Sequence, residues 1–310
     1  MRVLFMGSGD VACPALERLL KHPDYEVVMV VTQPDKPKGR NRKVGACPAK
    51  EFAEAKGVPV MTPERIGAPE AVDEIKALHP DMIVVAAYGQ YIKPAILAIP
   101  PLEAINIHPS LLPKYRGASP IQWALANGEE VTGVTILYVS SEMDAGDIIL
   151  QRSMRIDPDD TAETLTPRLA KLGAELLLEA LDAIWAGTAE RKPQAEEEAT
   201  VVYKLEKGDG RIDWTWPAVV IRNRMRGFTP WPGCFTTWNG RLLKIVQAEV
   251  LSESTVLSPG TVIRCDDEGP VIATGQGGLR LLNVQPEGKK VMSGAAFLCG
   301  HPLAQGAVLG

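Results

Sequence analysis

The sequence predicts an α/β protein with an N-terminal, Rossmann-like open sheet of mostly parallel strands, helices on both faces, and a smaller C-terminal β-rich domain. Short apolar runs alternate with helix-like stretches through the first part of the chain. A polar segment then interrupts this pattern, and later apolar residues come in short blocks separated by glycine and proline. With 310 residues, 45% of them hydrophobic, the chain is long enough to bury two cores.

The predicted strands of the first sheet are short, apolar and bounded by turn residues, as buried parallel strands are. The strands with this pattern are Val3–Met6, Glu26–Thr32 and Met82–Ala86, and we predict that Ala104–His108, Thr135–Ser140 and Ile148–Met154 continue the sheet. Helices are predicted at Pro14–Lys21, Pro48–Lys56 and Pro69–Leu78. Each opens with a proline, which suits the first turn of a helix because its missing N–H is not needed there.

A longer helix is predicted from Ala162 to Ala186, where leucines recur at three- and four-residue spacing and Gly187 follows. The polar, aperiodic run 192–198 predicts an interdomain linker. The expected domains are therefore 1–188, a linker over 189–208, and 209–310. The second domain is predicted to form a small antiparallel sheet or barrel, with strands at Leu242–Val250, Gly260–Cys265, Pro270–Thr274 and Gly278–Val284.

Composition excludes several classes of protein. The formal charge of −5 argues against a protein that coats nucleic acid, although the C-terminal third carries more basic than acidic residues. No run of about 18 apolar residues is present, and the apolar start is too short for a signal peptide, so we expect no membrane partner and a cytoplasmic location. The five widely spaced cysteines predict neither a disulfide framework nor a zinc site.

Asn106 and His108 form the most specific candidate site. Residues two apart in a strand face the same side, so both side chains are expected at the carboxyl end of the sheet, where open α/β sheets bind ligands. An amide beside an imidazole can stabilise a developing oxyanion. Asp144 lies in a carboxylate-rich loop after another predicted strand, and if it reaches His108 it favours the imidazolium. The alternative for Asn106 and His108 is a structural role, in which they hydrogen-bond the loop at the end of the strand. The alternative for Asp144 is a solvated acidic turn.

A basic cluster after the second strand is a candidate phosphate-binding loop, with a solvated loop as the alternative. Its cations are Lys36, Lys38, Arg40, Arg42 and Lys43. Arg222, Arg224 and Arg226 form a weaker cluster, which would share one face of a strand but spread around a helix.

The segment from Gly7 to Ala12 fits the dinucleotide-binding pattern G-x-G-x-x-A, with Asp35 as a possible ribose acceptor. Asp10 would place a carboxylate where a pyrophosphate should lie. We therefore interpret the glycines as a tight strand-to-helix turn.

At this point the sequence resembles a known family. Asn106-Ile107-His108, the run Ser110-Leu111-Leu112-Pro113-Lys114-Tyr115-Arg116-Gly117, and Asp144 resemble the active-site signature of the folate-dependent formyltransferases. Further similar motifs are Thr32–Pro37, Arg116–Gln122, Gly210–Trp214 and Pro230–Gly233, so that the resemblance covers essentially the whole chain. Pro109 is a departure from the family pattern, which often has a residue other than proline between the histidine and the Ser-Leu-Leu-Pro motif. The peptide bond before Pro113 is a candidate for the cis form.

The resemblance implies that 10-formyltetrahydrofolate donates a formyl group to the α-amine of methionine on the initiator tRNA. It implies Asn106, His108 and Asp144 as the catalytic residues and no metal. It also implies a folate site lined by Ser110, Leu111, Leu112, Pro113, Tyr88, Gln90, Tyr91 and Ile92. The basic cluster would contact tRNA, the C-terminal domain would be a small OB-like β-barrel that helps to hold it, and the protein would be a monomer.

Five rival interpretations remain. A sugar-nucleotide formyltransferase shares the donor and the catalytic residues but has no need of a polycationic loop. A related enzyme that formylates glycinamide ribonucleotide lacks a C-terminal domain. The hydrolase domain of formyltetrahydrofolate dehydrogenase would belong to a far longer chain than this one. An NAD-dependent oxidoreductase rests on Gly7, Gly9 and Asp35, and a non-enzymatic RNA-binding protein on the basic clusters.

Overall fold

The computed structural model of the protein describes residues 1–38, 43–301 and 303–310. It divides into two compact units. The first unit comprises residues 1–117, 131–155 and 166–202, and the second comprises 118–130, 156–165 and 203–310.

In chain order the helices are α1 Cys13–Lys21, α2 Pro48–Ala55, α3 Pro69–Ala77, α4 Pro94–Leu97, α5 Pro120–Ala126, α6 Ala162–Trp185, α7 Ala218–Phe228 and α8 Gly294–Gly300. Short 3₁₀ turns occur at Asp10–Ala12, Glu196–Glu198 and Lys207–Gly210. The strands are β1 Arg2–Gly7, β2 Glu26–Val31, β3 Lys36–Lys38, β4 Lys43–Gly45, β5 Val60–Met61, β6 Met82–Ala86, β7 Ala104–His108, β8 Arg116–Gly117, β9 Val131–Tyr138, β10 Ile148–Arg155, β11 Val201–Val202, β12 Cys234–Trp238, β13 Arg241–Leu251, β14 Val262–Asp266, β15 Gly269–Ala273, β16 Gly278–Pro286 and β17 Met292–Ser293.

The first unit contains a seven-stranded sheet in the order β10-β9-β7-β6-β1-β2-β5. The five strands β7, β6, β1, β2 and β5 are parallel to one another. β9 runs antiparallel to both β7 and β10. β6 is buried along its whole length, as its unbroken apolar run requires. The prediction of an α/β protein with a mostly parallel N-terminal sheet is therefore confirmed.

The second unit contains an antiparallel sheet in the order β12-β13-β16-β15-β14, and β17 pairs with β16. Its buried face includes Val271, Leu279, Leu281 and Val284, against which Phe297 of α8 is fully buried. The predicted antiparallel sheet is confirmed. Within the part of the chain that the structure describes, no ladder joins β12 to β14, so the sheet does not form a closed barrel.

Three features differ from the sequence-based expectations or decide between them. The ends of the basic cluster are not loop but two short strands, because β3 and β4 pair antiparallel. Arg222, Arg224 and Arg226 lie on helix α7 rather than on a strand, so they do not form one basic face. Residues 189–202 of the expected linker belong to the first compact unit.

The three arginines of α7 are engaged within the second unit. Arg222 pairs with Asp159 at 2.8 Å, and Arg226 donates through Nε to the carbonyl of Asp160 at 2.8 Å. The Arg224 guanidinium lies 4.5 Å from the centroid of the Trp216 ring. In the described residues, none of the helices is both long and apolar enough to cross a membrane.

Candidate active site

The site is built where β7 ends. Asn106 and His108 occupy alternate positions of this strand, next to β6 on one side and β9 on the other. Asp144 lies in the loop that follows β9. Because β7 and β9 are antiparallel neighbours, with Ile105 opposite Tyr138, the start of β7 rather than its end faces the residues that lead into this loop. The loop must therefore run back along β7 to bring Asp144 to His108.

The three predicted catalytic side chains meet. Asn106 donates through Nδ2 to Oδ1 of Asp144 at 3.2 Å, and His108 Nδ1 lies 3.5 Å from Oδ2 of the same carboxylate. The backbone N–H of Gly117 donates to Oδ2 at 2.8 Å. The side chain of Asp144 is 13% exposed, so water screens its charge weakly.

Both ring nitrogens of His108 have polar partners. The residue is 4% exposed, and Nε2 lies 2.9 Å from the backbone carbonyl of Tyr115. A carbonyl oxygen only accepts, so this nitrogen carries a hydrogen. Nδ1 faces the Asp144 carboxylate. These two contacts fix the plane of the ring.

The loop after His108 is fixed by its own hydrogen bonds. Ser110 is fully buried, and its hydroxyl donates to the carbonyl of Lys114 at 2.7 Å. Leu112 is also buried, and its N–H donates to Oγ1 of Thr135 at 3.2 Å. The Leu112–Pro113 peptide is cis, as hypothesised from the sequence. Ser110 and Leu112 thus shape the loop, while Leu111 and Pro113 are half-buried.

Two family models match this chain. The formyl transferase model covers residues 1–181, and the formyl transferase C-terminal domain model covers residues 204–302. The chain belongs to the formyl transferase family. This assignment agrees with the meeting of Asn106, His108 and Asp144, which the family resemblance predicted.

Two similar curated proteins are both named methionyl-tRNA formyltransferase. The protein from Caldanaerobacter subterraneus subsp. tengcongensis is 46% identical over all of this chain and all of its own length. The protein from Roseiflexus sp. is 47% identical over all of this chain and 95% of its own length.

Solved structures share the fold of this formyl transferase. WlaRD, a sugar 3N-formyl transferase, matches with a TM-score of 0.66 at 20% identity, covering 94% of this chain and 99% of its own. HypX from Aquifex aeolicus with tetrahydrofolic acid matches with a TM-score of 0.60 at 21% identity. The match covers 96% of this chain but only 47% of HypX.

The side chains of the second stretch predicted to bind folate, residues 88–92, differ in how deeply they are buried. Tyr88 and Ile92 are buried in the apolar core of the first unit, which raises the pKa of the Tyr88 hydroxyl by desolvation. Gln90 accepts from the N–H of Ile66 at 3.0 Å, so its amide is engaged. Tyr91 is 64% exposed, and its hydroxyl lies 3.4 Å from the carbonyl of Ser141. Of these side chains, Tyr91 is therefore the one most accessible to a ligand.

The structure describes part of the basic cluster. Lys36, at the start of β3, is exposed, and it donates to the side chain of Gln33. The backbones of Lys38 and Lys43 are paired in the β3–β4 ladder. Arg40 and Arg42 lie outside the described residues.

The glycine-rich turn packs tightly. A Cβ on Gly7 would lie 2.8 Å from the carbonyl oxygen of Ala86, so the residue is needed for close packing. Asp35, the possible ribose acceptor, forms an ion pair with Lys50 at 3.0 Å. Both observations agree with a structural turn.

Several residues that complete the site were not identified as functional in the sequence. The carbonyl of Tyr115 lies against the side chain of His108, and the N–H of Gly117 donates to the side chain of Asp144. Gln194 binds the backbone of the Asp144 loop. Arg116 and Gly117 belong to a recognised motif, but Gln194 lies in a polar segment whose pattern gives no signal.

Proposed function

We propose that this protein transfers the formyl group of 10-formyltetrahydrofolate to the α-amine of methionine on the initiator tRNA. The convergence of Asn106, His108 and Asp144 at the end of β7 carries the proposal. Full-length relatives named methionyl-tRNA formyltransferase support the choice of acceptor. The reaction is an acyl transfer, in which the amine nitrogen bonds to the formyl carbon and the bond from that carbon to N10 of the folate breaks.

The side chains fit the demands of this reaction. Asn106 donates one Nδ2 hydrogen to the Asp144 carboxylate. Its second Nδ2 hydrogen can donate to the formyl oxygen as negative charge develops there. We propose that the Nδ1–H of His108, which the carboxylate holds only loosely at 3.5 Å, donates to the same oxygen. Asp144 orients the imidazole and relays the proton that the amine loses toward the departing N10.

We propose that the folate binds along the carboxyl edge of the first sheet, between residues 87–92 and 109–113. β6 and β7 are parallel neighbours, so both loops leave the same edge next to the catalytic residues. Tyr91, Leu111 and Pro113 offer accessible apolar surface for the ring system. Ser110, Leu112, Tyr88, Gln90 and Ile92 would contribute by shaping these loops.

We propose that the cluster Lys36, Lys38, Arg40, Arg42 and Lys43 contacts tRNA phosphates, since five cations within eight residues suit a polyanion. Residues 1–188 would be the catalytic domain and 209–310 the tRNA-binding domain, joined through 189–208. An OB fold is a partly open barrel, and we propose it for the C-terminal domain. The enzyme would act as a monomer in the cytoplasm, where translation initiates.

Product analysis with two acceptors tests the proposed function. The protein is incubated with 10-formyltetrahydrofolate and either methionyl initiator tRNA or an amino-sugar nucleotide, and formylated products are identified by mass spectrometry. The proposal predicts formylmethionine on the tRNA and no formylated sugar. Formylation of the sugar alone would contradict the assigned acceptor while retaining the donor, and no product in either arm would contradict the reaction itself.

A further inference from the structure

The segment between the two predicted domains lies against the active-site loops. We call residues 191–202 the strap. Lys192 and Ile148 exchange two backbone hydrogen bonds, at 2.8 and 3.0 Å, at one end of the strap. At its other end β11 pairs in parallel with β8, so that Val201 lies opposite Arg116. A polar segment held at both ends in this way is a structural part of the first unit.

Gln194 is the central contact of the strap. Its Nε2 donates to the carbonyl oxygens of Asp144 and Gly146, both at 2.8 Å. Its Oε1 accepts from Nε of Arg116 at 3.0 Å. The amide thus uses both of its hydrogens and its oxygen, and it joins the Asp144 loop to the segment that contains Tyr115 and Gly117.

Both joined segments need an outside restraint. Asp144 has φ +53° and Tyr115 has φ +64°, a region that side-chain-bearing residues rarely adopt. Asp144 supplies the catalytic carboxylate, and Tyr115 supplies the carbonyl that binds Nε2 of His108. Such conformations persist where surrounding contacts over-determine them.

The remainder of the strap fixes the second segment. Arg116 forms two hydrogen bonds with the Glu196 carboxylate, at 2.7 and 2.9 Å. Thr200 accepts from the N–H of Tyr115 through Oγ1 at 2.8 Å, and its carbonyl accepts from the N–H of Arg116 at 2.8 Å. The side chain of Arg116 is 7% exposed, which makes its polar contacts hard to replace by water.

We propose that Gln194 is a positioning residue for formyl transfer, which holds the backbone of Asp144 so that its carboxylate meets Asn106 and His108. This inference rests on the proposed function. Gln194 does not touch the reacting atoms; it acts through the carbonyl of Asp144. Its loss should lower kcat and leave the KM values for folate and tRNA nearly unchanged, because substrate-binding groups stay in place.

A double-mutant cycle tests the proposal. The variants are Gln194→Met, Asp144→Asn and the combination, assayed for kcat and KM with wild type in the same plates. Misplacing a catalytic group by about 1 Å can cost on the order of 10²-fold, so Gln194→Met should lower kcat by about 10- to 100-fold. In the Asp144→Asn background the same change should cost less than about twofold, because there is no longer a catalytic carboxylate to position.

Gln285→Met is the matched control, since this amide donates to the carbonyl of Lys289 at 2.9 Å in the second unit. It should retain wild-type kcat. Thermal unfolding of every variant separates positioning from stability. If Gln194→Met is folded too poorly to assay, Gln194→Glu replaces it, because the carboxylate keeps the Arg116 partner but cannot donate to the two carbonyls.

Full activity of the Gln194 variant would overturn the proposal, and so would an equal loss in both backgrounds, which would show that Gln194 does not act through Asp144. A loss confined to KM would also overturn it. Failure of the proposed function is a separate result, because wild type and Gln285→Met would then fail to formylate the tRNA as well.

Discussion

Replacing Asp144 with asparagine removes one negative charge from the candidate site and almost nothing from its volume. In the wild type the carboxylate accepts from Gly117 N–H at 2.8 Å and from Asn106 Nδ2 at 3.2 Å, and it faces His108 Nδ1 at 3.5 Å. An amide can keep its oxygen toward Gly117. Its NH₂ group then faces the NH₂ group of Asn106, so that one hydrogen bond is lost and two donors are opposed.

The size of the effect follows from these contacts. A hydrogen bond to a charged group contributes about 1.5–3 kcal/mol, which corresponds to roughly 10- to 150-fold in rate. The variant also removes the carboxylate that faces Nδ1 of His108, and general acid–base groups contribute about 10²–10⁴-fold. We therefore expect kcat to fall by about 10²–10³-fold, with the folate and tRNA affinities retained.

Single-turnover formylation of methionyl initiator tRNA at saturating enzyme measures this loss, and a filter-binding assay measures tRNA affinity in parallel. Asp147→Asn is the matched control, because Asp147 lies in the same loop but pairs with Arg191 at 3.9 Å. A kcat within threefold of wild type for Asp144→Asn would refute the assigned role. An equal loss in Asp147→Asn would refute its specificity.

Three further predictions concern other parts of the chain. Replacing Lys36, Lys38 and Lys43 with alanine should weaken tRNA binding. In a salt titration, the slope of the logarithm of the binding constant against the logarithm of the salt concentration should become shallower by about 1 per lost phosphate contact. The control is Lys21→Ala, which removes an exposed ion pair of α1 and should leave that slope unchanged. Gly227→Ala should destabilise the protein by about 1–3 kcal/mol in urea unfolding, because its Cβ would lie 2.4 Å from the carbonyl oxygen of Gln122, whereas Gly300→Ala, with nothing within 4 Å, should be nearly neutral. The hydrogen bond from Arg116 lowers the pKa of Glu196 below its ordinary 4.5. The difference in unfolding free energy between wild type and Glu196→Gln should therefore be constant above about pH 5 and should vanish as the pH falls through the lowered pKa. A difference that grew in acid would contradict the direction of this pKa shift.

Local patterns predicted the scaffold of the site well. β6 and β7 begin and end where the predicted strands Met82–Ala86 and Ala104–His108 do. β6 was recognisable because a buried parallel strand is an unbroken apolar run. The alternation rule placed Asn106 and His108 on one side of β7. The carboxylate-rich loop made Asp144 a candidate partner of His108, and the family resemblance then implied a catalytic role for it. The 3.5 Å approach of the two side chains depends on a loop that no periodicity describes.

Other contacts could not be predicted because they join distant parts of the chain. Gln194 lies 50 residues from Asp144 and 78 from Arg116, in a segment whose polarity is typical of a linker. A polar residue that spends its hydrogen bonds on backbone carbonyls has the same sequence signature as one that faces water. The arginines of α7 illustrate the same limit, since their spacing fits either a strand or a helix, and packing of that helix in the second unit decides between them.

Tyr88 shows why a matched motif does not assign each side chain. The motif predicts a folate-binding stretch, but the Tyr88 side chain is 2% exposed and packs in the apolar core of the first unit. Tyr91, three residues further along the same loop, is 64% exposed instead. Burial, which depends on the whole fold, therefore decides which residues of a matched loop can reach a ligand.

The transfer of a labelled formyl carbon tests the central claim most directly. Wild type and His108→Ala are each incubated with 10-formyltetrahydrofolate carrying ¹³C in the formyl group and with methionyl initiator tRNA, and the amino acid is then released and weighed by mass spectrometry. The account predicts ¹³C-formylmethionine from wild type and at least about 10²-fold less from His108→Ala at unchanged tRNA affinity. Unlabelled methionine from folded wild type, or equal labelling by the variant, would contradict it.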